Sequence, residues 1–147
     1  MTGESFTRGA LAPDFAGLRE RARDCGAFVF FLPLAGAPIC CEDVRGLAGA
    51  ATELGAPRRP LVVVSVDRGD HLRRFLDEMG GAALEHVGDP SLAIAASFGV
   101  RRPEGFAARA SFLIAREGHI VASALHPIGF PRPVELLHAW LARQALD

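Results

Sequence analysis

One stretch constrains this chain more than any other. A five-residue apolar run, Phe28-Val29-Phe30-Phe31-Leu32, is stopped by Pro33; a loop of small residues, Leu34-Ala35-Gly36-Ala37-Pro38, leads to Cys40 and Cys41. Uninterrupted apolar runs of this length suit a strand buried on both faces. From Cys40 the period changes: Val44, Leu47, Ala48, Ala51 and Leu54 recur at helical spacing. The stretch therefore predicts a central strand whose end feeds a helix with a cysteine in its first turn. Free backbone N–H groups and the positive end of the helix dipole favour an anion there, so a thiolate over a thiol is expected at Cys40.

The remaining elements follow from the same patterns. Residues 1–11 read as a poorly ordered lead-in, and Leu18 to Arg23 suggest a short helix ending before Cys25. Leu61 to Val66 is a second buried strand introduced by Pro57 and Pro60. Leu72, Phe75, Leu76 and Met79 line one face of a helix closed by Gly80-Gly81. A short segment from Leu84 to Val87 leads to Gly88-Asp89-Pro90, a turn and helix start, and that helix ends near Phe98-Gly99-Val100. Arg101 to Ala108 is a polar loop. Two further strands, Ser111 to Ile114 and His119 to Leu125, are joined as a hairpin at Glu117-Gly118. After a loop from Pro127 to Pro133, Val134, Leu137 and Leu141 line a final helix.

Five segments, in order, resemble the peroxiredoxins, thiol peroxidases of the alkyl hydroperoxide reductase and thiol-specific antioxidant type. Ala12-Pro13-Asp14-Phe15 matches the family's opening APDF, and Pro33 and Cys40 fall at the two ends of its P-x-x-x-T/S-x-x-C motif. Ser65-Val66-Asp67 with His71 and Phe75 resembles S-V-D…H…F; Asp89-Pro90 with Phe98-Gly99-Val100 resembles D-P…(Y/F)-G-V; Arg109 to Ile114 resembles R-x-T/S-F-hydrophobic-I. The resemblance implies an α/β, thioredoxin-like fold in one domain, a central mixed sheet flanked by helices. It departs from the family at Ala37, where the motif has threonine or serine, and in the short Ala16 to Ala27 segment, where a hairpin is usual.

The resemblance also implies a chemistry. Cys40 would attack the O–O bond of a hydroperoxide and become sulfenic acid. Arg109 would stand beside the sulfur as a fixed planar cation, and Pro33 would shield it. Either Asp43 or Glu42 would hold the arginine, the two being equal candidates. At position 37 alanine lacks the hydroxyl that bonds the thiolate, a loss of about 1.5–3 kcal/mol unless loop N–H groups or Ser111 compensate, which leaves open a catalytically weakened redox sensor or interaction domain, or a thiol–disulfide exchange protein. Cys41 and Cys25 are possible resolving or structural thiols. Neighbouring cysteines rarely bridge, and the core strand alone separates Cys25 from Cys40 by roughly 20 Å. A one-cysteine mechanism is therefore expected, and the resemblance implies one of the AhpE or bacterioferritin-comigratory-protein kind, with an external thiol or a thioredoxin- or mycoredoxin-like protein as reductant. Like members of the family, the chain could form a homodimer.

Composition sets outer limits. Half of the 147 residues are hydrophobic and the net charge is -1, so nothing calls for nucleic acid or an anionic membrane as partner. The N-terminus lacks the pattern of a secretory signal and three cysteines do not make a disulfide framework, so a cytoplasmic location is expected. The five histidines are scattered and there is no C-x-x-C, so no metal or other cofactor is expected. All 16 basic residues are arginine, which makes any single arginine a weak signal.

Overall fold

In the computed structural model, which describes residues 9–127 and 129–146 (Ala145 and Leu146 by backbone only), one mixed sheet organises the chain. Its strands are β1 (Ala27–Phe31), β2 (Leu61–Ser65), β3 (Glu85–Gly88), β4 (Ala110–Ile114) and β5 (Ile120–Leu125), in the spatial order β3-β2-β1-β4-β5. The helices are α1 (Leu18–Arg21), α2 (Pro38–Ala50), α3 (Gly69–Glu78), α4 (Ala93–Ser97) and α5 (Val134–Leu146). β1 pairs parallel with β2 and antiparallel with β4; β2 and β3 are parallel, β4 and β5 antiparallel.

The central strand is buried along its whole length. Alternate residues serve opposite faces because strand side chains point up and down in turn. Phe28, Phe30 and Leu32 join the core under α2, α3 and α5, with Val44, Leu47, Leu72, Leu76, Leu137 and Trp140. Ala27, Val29 and Phe31 join the second core with Leu18, Ala95, Phe98 and Phe112. In that second core the Phe31 ring lies 5.3 Å from Phe98 and 5.8 Å from Phe112, centroid to centroid. Each such ring contributes about 1.5–3 kcal/mol of burial, so the sequence run Phe28 to Leu32 ties both layers together.

Several element boundaries differ from the sequence reading. β1 begins at Ala27, and Leu32 continues its pairing by donating N–H to the Val64 carbonyl oxygen at 2.9 Å. α2 begins at Pro38, a residue suited to the first helical position because its missing N–H would be unpaired there anyway. Glu85–Gly88 is an edge strand in parallel register with β2. The lead-in, too, is corrected where it is described. Gly9 and Ala12 donate N–H to the Ile120 and Gly118 carbonyl oxygens at 2.7 and 2.8 Å, and Ala10 accepts from Ile120. Residues 9–12 are thus held along the chain entering and starting β5, whereas residues 1–8 lie outside the described residues. No described helix is long and apolar enough to cross a membrane.

Candidate active site

The carboxyl ends of β1 and β2, the start of β4 and the end of β5 lie together at one end of the strands, the usual place for a site in such folds. Pro33 leaves β1 there, Arg109 precedes β4, His126 follows β5, and α2 starts with Cys40 in its first turn. Cys40, Asp43, Val44 and Leu47 are the buried stripe of α2, spaced as one helical face. Glu42 lies off that stripe and is exposed. The structure thereby separates the two acidic candidates: Asp43 is inside and Glu42 is not.

Asp43 anchors a buried polar network. Arg109 binds its carboxylate with two donors, Nε to Oδ2 at 3.0 Å and Nη2 to Oδ1 at 2.9 Å. The Arg132 backbone N–H adds a 2.7 Å bond to Oδ1, and Arg132 Nη2 lies 3.4 Å from Oδ2. Arg132 also donates to the carbonyl oxygens of Phe31, at 2.9 Å, and of Ala110, and to Ser111 Oγ at 2.8 Å. Its guanidinium carbon sits 5.6 Å from the centre of the Phe30 ring, within range of a cation–π contact. Arg109 donates further to the Pro127 carbonyl oxygen, and Ser111 Oγ is 2.8 Å from His126 Nε2. Two guanidiniums thus share one carboxylate, leaving one positive charge in a buried site. Burial pushes Arg132 down to about 10, with Arg109 acting the same way and Asp43 opposing. Burial likewise pushes His126 down to about 3, the two arginines adding to the effect, so its ring is neutral at ordinary pH.

The expectation that the helix terminus alone would favour a thiolate is corrected by burial. Cys40 is completely enclosed, and desolvation pushes its thiol above the ordinary cysteine value. The Leu34 backbone N–H, Arg132 and Arg109 pull the other way, and Asp43 adds to the rise. Desolvation is the largest of these influences, and of the first-turn groups of α2, Pro38 has no N–H and the Cys41 N–H already bonds to the Ala37 carbonyl oxygen at 3.0 Å.

The other expected residues stand as follows. Ala37 occupies the N-cap of α2 with extended backbone and makes no side-chain cap bond. Ser111 is buried beside Arg132, and its hydroxyl is engaged by Arg132 and His126. Arg109 is committed to Asp43 and Pro127, so its influence on Cys40 is through charge. Cys41 is half-buried, its thiol 3.8 Å from the Gly36 carbonyl oxygen. Cys25 precedes β1 at the opposite end from Cys40, and all three thiols are free. Sequence reasoning missed Arg132 and His126. Neither carries a local signal, since one is among sixteen arginines and the other among scattered histidines. The i, i+3 spacing of Cys40 and Asp43 within the apolar stripe could have settled Asp43 against Glu42.

Comparison with known proteins places this geometry among relatives. The model of the AhpC/TSA family matches residues 12–123. Among solved structures, the chain is similar to yeast mitochondrial 1-Cys peroxiredoxin, with TM-score 0.82 and 18% identity over 97% of this chain and 78% of that one. It is similar to Mycobacterium tuberculosis AhpC, with TM-score 0.80 and 16% identity over 97% and 95%. The peroxidoxin BcpB from Mycobacterium tuberculosis gives TM-score 0.79 and 22% identity over 94% and 97%. No curated protein sequence matches it.

Proposed function

The chain belongs to the AhpC/TSA family of peroxiredoxins, and we propose on that footing that it reduces hydroperoxides through Cys40 by a one-cysteine mechanism. The observation that carries this reading is the charge arrangement around Cys40: two buried guanidiniums share one carboxylate, which leaves one positive charge over. A thiolate at Cys40 would bring this cluster of charges to neutrality, although burial holds the resting group as the thiol. The sulfur lone pair forms an S–O bond to one peroxide oxygen as the O–O bond breaks, and the leaving alkoxide or hydroxide takes up a proton as alcohol or water. Cys40 is oxidised by two electrons to sulfenic acid. An external thiol then condenses with the sulfenic acid, releasing water, and a second thiol reduces the mixed disulfide. The position of Cys25 at the far end of β1 supports external resolution. So does the likeness in fold to the yeast mitochondrial 1-Cys peroxiredoxin, whose thiol is resolved via glutathione and thioredoxin systems. A cytoplasmic setting, a thioredoxin- or mycoredoxin-like reductant and a homodimer belong to the same proposal.

One equivalent of peroxide, a sulfenic-acid trap and peptide mass spectrometry test the mechanism. The trap should land on Cys40, and the untrapped, non-reduced chain should show no two-hydrogen loss. A label confined to Cys25 or Cys41 would overturn the reading. The complete enclosure of Cys40 favours a second reading, a slow redox sensor, which the same reaction followed in time distinguishes by its rate.

A further inference from the structure

At the end of the sheet away from Cys40, a cavity of about 450 Å³ opens between the residue before β1, the end of β4 and the last turns of α5. Its volume falls in the range of small-molecule sites, roughly 300–1,000 Å³. Ile114 and Leu141 give it an apolar wall, and Cys25, Arg59, Arg116 and Glu117 line the rest. Cys25 and Arg59 are tied to one another. Arg59 Nε donates to the Cys25 carbonyl oxygen at 3.0 Å, and Nη1 donates to the Leu54 carbonyl oxygen at 2.7 Å. Gly55 leaves the space for that guanidinium, because a Cβ there would collide with it. Gly26 sets the chain after Cys25 against β4, where a Cβ would lie 2.5 Å from the Ile114 carbonyl oxygen. A cation and a half-buried free thiol are thus fixed side by side on one cavity wall. Both bonds of Arg59 go to neutral carbonyl groups, so they leave its charge unbalanced. Arg116 is exposed and pulls on Asp24 from a distance, and that carboxylate is already bonded by Arg58 at 2.7 and 3.1 Å. With Glu117 as the acidic residue of the wall, two guanidiniums face one carboxylate, a surplus of one positive charge.

We propose that this cavity binds small disulfides that carry carboxylates, and that Cys25 exchanges with them to form a mixed disulfide. The planar forks of Arg59 and Arg116 suit a carboxylate, and the wall of Ile114 and Leu141 takes the aliphatic part of the molecule. The deprotonated Cys25 sulfur attacks one sulfur of the bound disulfide. A new S–S bond forms as the old one breaks, and the departing half leaves as a thiolate that takes up a proton. The incoming disulfide is the oxidant, since the electron pair of its broken bond leaves with that thiolate. Cys40 takes no part in the exchange, so Cys25 is capped whether or not Cys40 reduces peroxide.

The test exposes the fully reduced chain to oxidised glutathione, a disulfide of net negative charge, and in parallel to cystamine, a positively charged one. Peptide mass spectrometry over time locates each adduct, and each rate is divided by that of a short peptide spanning Cys25. On that scale Cys25 should take up the glutathionyl group about tenfold faster than the cystamine half. It should also outpace Cys41, the other half-buried thiol, in glutathionylation. Arg116→Met changes an exposed side chain, and it should slow glutathionylation of Cys25 about threefold while leaving the cystamine rate unchanged or higher. Arg59→Met should act in the same sense, and Glu117→Gln in the opposite one. Where Arg59→Met does not fold, Arg116→Met and Glu117→Gln make the same comparison. Absence of an adduct at Cys25, Cys41 reacting as fast as Cys25, equal scaled rates for the two disulfides, or an Arg116→Met variant that slows both alike would each overturn the proposal.

Discussion

Asp43 accepts from both arginines, and every charge that acts on Cys40 passes through that arrangement. Removing one partner of a buried ion pair typically costs about 3–5 kcal/mol, because the other is left charged and dry. His126 completes the same cluster as a neutral group, with Nε2 against Ser111 and Nδ1 buried without a hydrogen-bond partner. Its depressed value has a definite sign. Between its ordinary 6.5 and about 3 in the folded chain, the unfolded chain binds the proton more readily. Stability is therefore fully present above pH 6.5 and declines as pH falls toward 3, with a slope of up to about 1.4 kcal/mol per pH unit from this residue. Urea unfolding across that range should show the decline, and His126→Gln should flatten it; an unchanged slope would mean that protonation of His126 is tolerated in the fold.

At the level of elements, the site is held by close backbone approaches as much as by side chains. β3 ends at Gly88 with room for hydrogen only, since any Cβ would run into the backbone of residues 67–69. Gly88→Ala must push β3 and the start of α3 apart. A shift of that size should destabilise the fold by about 1–3 kcal/mol, the range of overpacked sites. Residues 67–69 follow the end of β2, at the end of the sheet where Pro33 leaves β1, so the Cys40 midpoint should shift in the same variant, whereas a comparable strain at the remote end should not move it. Gly26→Ala is the control: its Cβ would meet the Ile114 carbonyl oxygen at 2.5 Å, at a backbone φ of 78°, beside Cys25 rather than Cys40. Chemical denaturation and thiolate titration on the two variants separate global strain from the local effect.

Across the whole molecule, periodicity made the architecture legible and burial decided the rest. A strand that is apolar at every position has to lie between two layers, and Phe28 to Leu32 do feed both cores. The hairpin, the helical stripe Val44 and Leu47, and the cysteine after Pro33 are local patterns of the same kind. Arg132 could not be read this way: its bond to the Phe31 carbonyl oxygen joins residues 101 apart in sequence, and only the closed fold makes it a buried cation. The direction of the Cys40 shift was hidden for the same reason, because a helix terminus is visible in sequence and desolvation is not. The account's central claim is that this enclosed thiol is nonetheless the group that reduces peroxide. Stopped-flow consumption of hydrogen peroxide by the fully reduced protein, as a function of pH, tests it most directly. One equivalent should be consumed per chain, at a rate that climbs with pH through the alkaline range as the raised Cys40 thiol ionises, and Cys40→Ser should consume none. Equal consumption by Cys40→Ser, or a rate indifferent to pH across that range, would contradict it.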